Sequence, residues 1–199
     1  MQSRSIEVAG KFDVELIVRN SFNKKGGTLI CKEAKHMEEV LVRGIALNKN
    51  EAKVTICDVP DKPGVAAIIF RALADKDLNV DMIIQNISRT GKTDLSFTVG
   101  SGELQKTLDV SKKIAKKVGA SRVTQNTGIA KVSIVGIGMR SHSGVAAMMF
   151  EALAAKKINI EMISTSEIKI SCVVNKNDAQ KAVEALHNKF DLGKKPKKR

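Results

Sequence analysis

A chain of 199 residues holds one large or two small domains, and 43% hydrophobic content is that of a packed globular protein. The net charge of +13 raises nucleic acid as a partner, but the excess gathers at Lys194, Lys195, Lys197, Lys198 and Arg199 and on helix-like runs such as Lys112, Lys113, Lys116 and Lys117, and no Trp or Tyr is present for bases to stack on. The start carries no apolar leader and no run reaches membrane-spanning length, so the expectation is a cytoplasmic protein with no membrane partner.

The first 35 or so residues read as a helix (Ser5 to Phe12), a strand (Val14 to Arg19) and a loop containing Gly26 and Gly27. They resemble the end of a domain. The run Val40 to Ala46 is strand-like, and after it the sequence repeats itself. Gly64 to Leu73 (GVAAIIFRAL) returns as Gly144 to Leu153 (GVAAMMFEAL), and the match runs on through Lys76/Lys156, Asn79/Asn159, Met82/Met162 and Ile83/Ile163 at a constant spacing of eighty residues.

Each copy begins with an alternating strand (Lys53 to Val59; Lys131 to Ile137), a loop, and an amphipathic helix opening at the glycine. In the first helix Val65, Ile69 and Leu73 fall on one face, which should cover a sheet. Strands Val80 to Ser88 and Thr93 to Val99 follow, then a helix (Glu103 to Val118) and a strand (Ser121 to Thr127), which is the βαββαβ order of a ferredoxin-like unit. The second copy continues with strands Asn159 to Ser164 and Glu167 to Val174 and a helix (Lys176 to Phe190), but has no fourth strand of its own. The unassigned run at Val40 to Ala46 is the economical replacement. The expected fold class is therefore α+β, two ferredoxin-like domains, the second completed by an N-terminal strand. The expected division is 1–35 as a remnant, 50–128 as the first domain, 38–48 plus 129–192 as the second, and 193–199 as a basic tail.

Cys31, Cys57 and Cys172 are odd in number and widely spaced, and His36, His142 and His187 form no ligand-spaced group. No metal site is expected, nor any catalytic residue or resident cofactor. The chemistry that repeats lies in the loops instead, at residues 58–64 (DVPDKPG) and 136–144 (GIGMRSHSG). A helix start exposes unpaired N–H groups and the positive end of the helix dipole, which suit a carboxylate. Gly64 and Gly144 allow close approach. Asp61 suits an amino group, so the first loop matches both ends of an α-amino acid. Turn and capping chemistry also accounts for Asp61, Pro63 and Gly64 in one loop alone; recurrence in register favours binding. Gln85, Ser88, Asn79 and Asp81 follow the first helix, and Asn159, Glu161, Ser164 and Ser166 the second, as ligand contacts or as water-facing strand residues. Met82, Met139, Met148 and Met149 read as core or interface filler.

The segments VPDKPGVAAIIFRALADKDLNVDMIIQNIS, GMRSHSGVAAMMFEALAAKKINIEMISTSEIKIS and VLVRGIALNKNEAKVTI resemble the regulatory region of the aspartokinase family, built of two ACT domains. SRSIEVAGKFDVELIVRNSF is similar to the last helix and strand of that family's catalytic domain. The resemblance implies feedback control, by threonine, lysine or both, of the ATP-dependent phosphorylation of L-aspartate, in partnership with an aspartokinase catalytic subunit or domain that uses ATP and Mg, and a homodimer through the ACT domains. It implies one effector pocket on Asp61, Gly64, Ala66 and Gln85 beside Ser88, closed by Asn159 and Ile160 of the other domain. It implies a second on Met139, Ser141, Gly144 and Val145, with Asn79, Val80 and Asp81 across the interface and Ser166 nearby. The family's phosphate-binding glycine and lysine segment is absent, so the chain alone is expected to be catalytically silent. Two rivals remain: a free-standing ACT sensor of amino acids serving another enzyme, and a basic ferredoxin-like RNA-binding protein.

Overall fold

The computed structural model describes residues 2–23, 26–30, 42–86, 91–136 and 144–193. The chain falls into two units, Met1–Val40 and Leu41–Arg199.

In the first unit α1 (Ser3–Lys11) precedes β1 (Leu16–Val18) and β2 (Thr28–Ile30), which pair antiparallel with Leu16 opposite Ile30. β2 falls where the sequence suggested only loop. Gly27 permits it: a Cβ there would collide with the carbonyl oxygen of Val18.

The second unit opens with β3 (Gly44–Asn48), which turns into β4 (Glu51–Pro60). The turn is held by the Asn48 side chain, which accepts from the Asn50 N–H. The chain continues through α2 (Val65–Ala74), β5 (Ile83–Gln85), β6 (Lys92–Gly100), α3 (Leu104–Val118) and β7 (Arg122–Asn126), then β8 (Ile129–Val135), α4 (Val145–Ala155), β9 (Ile160–Thr165), β10 (Lys169–Asn175) and α5 (Ala179–Lys189). One sheet has the order β5-β6-β4-β7 and the other β3-β8-β10-β9, all neighbours antiparallel. Two ferredoxin-like domains result, and the second takes β3 as its fourth strand, as the sequence implied. Among the described residues the pairing register runs from Gly44, and the buried Val42 already packs on the second core; Val40 lies outside the described residues.

Each sheet is covered on one face by its own two helices. Ile69 and Leu73 of α2 meet Val54, Ile56, Leu95 and Phe97 of the sheet, with Leu108 and Ile114 of α3 beside them. Phe97 also takes an edge-on contact with Phe70, ring centroids 5.8 Å apart. In the second domain Met149 and Leu153 of α4 and Ala182 and Leu186 of α5 cover Val132, Ile134, Ile170 and Cys172. Burial pushes the Cys172 thiol up to about 12, so it behaves as a small hydrophobe. A third, smaller core of Met82, Ile129, Met162 and Val173 joins the two domains.

Candidate functional site

β4 carries the first site. A bulge at Cys57–Asp58 interrupts its pairing with β6, with Asp58 at φ 55° and its N–H donating to the Asp94 carboxylate. The strand resumes at Val59 and Pro60, and the Asp61 N–H then donates to the carbonyl of Gly91 at 3.0 Å, which pins the loop to the turn before β6. Gly64 caps α2 in the left-handed region, φ 90°, and no side chain caps the helix. The Val65 N–H donates to the Lys62 carbonyl at 3.3 Å, which leaves the N–H groups of Ala66 and Ala67 as the helix-start donors.

These elements enclose a cleft of about 320 Å³ lined by Val59, Pro60, Asp61, Lys62, Pro63, Gly64, Val65, Ala66, Gln85 and Leu95. The volume lies at the low end of small-molecule sites, roughly 300 to 1,000 Å³. Four of the residues singled out from sequence, Asp61, Gly64, Ala66 and Gln85, stand on its wall together. Asp61 and Lys62 supply opposite charges, the helix start supplies N–H donors, and Val65 and Leu95 supply an apolar patch. Such a set matches a small zwitterion with a short side chain. Lys62 and the apolar wall were not singled out in the sequence, although Lys62 stands in the same loop.

Asn159 and Ile160 are not among the lining residues. Asn159 is exposed, and Ile160 opens β9 and packs on the core of its own domain. Ser88 lies outside the described residues.

For the second expected pocket, Met139 and Ser141 also lie outside the described residues. Gly144 repeats the left-handed cap, φ 101°, again without a capping side chain. Val145 is buried in the core of its domain, so it can offer a ligand only its backbone. Asn79 is exposed, Val80 packs on the first core, and the Asp81 carboxylate takes an ion pair from Lys131. Burial works to raise the Asp81 carboxyl, but the hydrogen bond and charge of Lys131 hold it below the usual carboxylate value. Ser166 is used in the turn between β9 and β10, where its hydroxyl accepts from the Lys169 N–H at 3.2 Å. Among the described residues no group of His, Cys, Asp or Glu is placed to hold a metal ion, and no helix is long and apolar enough to cross a membrane.

Two such domains in tandem, each opening its first helix on a left-handed glycine, define a regulatory module. The ACT domain family matches residues 58–113 and 132–190. Aspartate kinase from Pseudomonas putida is 51% identical over 193 residues, 96% of this chain and 47% of that protein. A crystal structure of aspartokinase alpha and beta subunits superposes with a TM-score of 0.72 at 48% identity, covering 76% of this chain and 99% of that one. The ligand-free regulatory subunit of aspartate kinase from Thermus thermophilus gives 0.72 at 39%, covering 75% and 98%. The chain belongs to the ACT domain family, as the tandem-ACT regulatory portion of an aspartokinase. It spans about half the length of relatives such as the Pseudomonas putida enzyme.

Proposed function

We propose that this chain senses end-product amino acids, threonine, lysine or both, and through them controls the ATP-dependent phosphorylation of L-aspartate in the cytoplasm. The observation that carries the reading is the cleft at residues 59–66, where an acid, a lysine, a helix start without a side-chain cap and a small apolar wall converge with Gln85. A carboxylate docks on the N–H groups of α2, Asp61 takes the amino group, and Gln85 reads the side chain. The second pocket uses the Gly144 cap in the same way. ATP and Mg serve the catalytic part of the enzyme, not this module.

Because Asn159 and Ile160 stand away from the cleft wall of their own chain, a second copy supplies them. The edge strands β5 and β9 are open for this, with Ile83 and Ile163 both exposed. Closure between two copies links ligand binding to the arrangement of the attached catalytic domains. Such coupling is typically about 1 to 3 kcal/mol, and it requires the effector to bind the two arrangements unequally. The first unit belongs to the catalytic fold: Phe12, Phe22 and Leu29 are exposed apolar residues that the rest of a kinase domain would cover.

The test is aspartate phosphorylation by this chain assembled with its catalytic partner. Threonine or lysine inhibits the wild-type complex, and Asp61→Ala or Gln85→Ala relieves the inhibition with the uninhibited rate unchanged. Inhibition that persists in both variants would refute the assignment.

A further inference from the structure

The polar contacts between the two ACT domains obey the same repeat as the loops. Lys53 of β4 and Lys131 of β8 stand in matching runs, Ala52–Val54 and Ala130–Val132, both AKV. Asp81 and Glu161 also match, each two residues beyond its asparagine, Asn79 or Asn159. In the folded chain each lysine crosses to the other domain's acid: Lys53 pairs with Glu161, and Lys131 with Asp81. Lys53 and Glu161 are only 22% and 21% exposed, so that pair is drier and less screened than a surface salt bridge, whereas Lys131 at 12% meets an Asp81 that is 45% exposed. Each is fastened by neighbours, Asn126 donating to Glu161 and Glu51 accepting from Lys131.

The anchored acids terminate the short segments that follow α2 and α4. Those segments carry Asn79–Val80 and Asn159–Ile160. Lys53 and Lys131, in turn, lie on the strands that run into the two site loops, β4 reaching Pro60 at the cleft itself. Each first strand thus leads to one pocket and holds the segment that closes the same kind of pocket, which the proposed function places on a second copy.

We propose that Lys53 and Lys131 are positioning residues, a reciprocal pair of latches that fix the Asn159–Ile160 and Asn79–Val80 segments for closure over effector and so tie each pocket to the segment that closes its equivalent in a second copy. The proposal rests on those segments being pocket-closing, as argued above. Neither lysine touches the effector. Loss of a latch frees the segment it holds, while the cores beneath Ile69 and Met149 stay packed.

The experiment compares the full chain with Lys53→Met, Lys131→Met and the exchange Lys53→Glu/Glu161→Lys, and with Ile56→Val as a control that weakens the first core alone. Two readouts are taken: amide hydrogen exchange at 79–82 and 159–162, and calorimetric Kd values for threonine and lysine. Lys53→Met is expected to speed exchange at 159–162, and Lys131→Met at 79–82, by about tenfold or more, with effector binding weakened at least about 5-fold. The exchanged pair restores both, and Ile56→Val changes neither. Unaltered exchange in the two lysine variants overturns the latch whether or not an amino acid binds. Faster exchange with an unchanged Kd overturns the positioning role. A wild-type chain that binds neither amino acid refutes the sensor reading instead, and exchange alone then decides the latch.

Discussion

Met82 and Met162, equivalent residues of the two repeats, pack into one small core with Ile129 and Val173, so the same position in each ACT domain builds the joint between them. Both are almost wholly buried, at 2% and 4% exposure. A joint made of core residues predicts that the two domains unfold together. Met162→Ala should cost about 2 to 4 kcal/mol, and urea unfolding should remain a single transition with a lower midpoint. Two resolved transitions in the wild-type chain would show the domains to be independent.

The joint's ionic half predicts a second effect. Lys131 donates to both Glu51 and Asp81, and the Glu51 side chain is 6% exposed with its second carboxylate oxygen, Oε2, unpartnered. Lys131→Met leaves that carboxylate buried without its cation, at a cost of about 3 kcal/mol. Adding Glu51→Gln to the same chain should recover part of the loss, which a double-mutant cycle in urea measures.

The same cluster sets the pH response. Asp81 is held below its usual value, so its contribution is present above the unfolded carboxylate value near about 4 and is lost as pH falls through its folded value. For Lys131 burial works to lower the ammonium and the hydrogen bonds to Asp81 and Glu51 raise it further. Its contribution is therefore present below the unfolded lysine value, about 10.4, and is lost as pH rises through its folded value. The urea-midpoint difference between wild type and Lys131→Met should stay level between about pH 5 and 10 and shrink outside that window. A difference that changes steadily through neutrality would contradict this.

Gly64 predicts a local effect. Its φ of 90° is strained for any L side chain, although a Cβ there meets no atom within 4 Å. Gly64→Ala should cost about 1 to 2 kcal/mol from the backbone alone, and the same change at Gly144, φ 101°, a similar amount. Thermal unfolding of the two variants checks both values.

The repeat made the two βαββαβ domains legible, because GVAAIIFRAL and GVAAMMFEAL fix the helix and its buried face together. The missing fourth strand pointed to the run before the first copy, yet its register could not be read: Val42 is apolar for packing, while the Arg43 N–H bonds to the Val135 carbonyl and the paired register runs from Gly44. Asp61 and Gly64 were legible because a strand end, a glycine cap and an acid fall within a few positions, whereas Ala66 came only with the family resemblance and Gln85, on β5, read equally as a water-facing strand residue. Lys53 and Glu161 were not, being 108 residues apart, each a lone charge on a strand that reads as facing water. The bulge at Asp58 was hidden for a similar reason: nothing in TICDVP announces a residue at positive φ. Asn159 and Ile160 are spaced like Asn79 and Val80, and spacing alone does not say which copy of the chain they serve.

Isothermal titration calorimetry of the chain and of Asp61→Ala against threonine, lysine and alanine tests the amino-acid cleft most directly. The account predicts saturable binding of threonine or lysine by the wild type, none of alanine, and a loss of at least about tenfold in Asp61→Ala at an unchanged unfolding temperature. Equal affinity in wild type and variant would place the ligand elsewhere and contradict it.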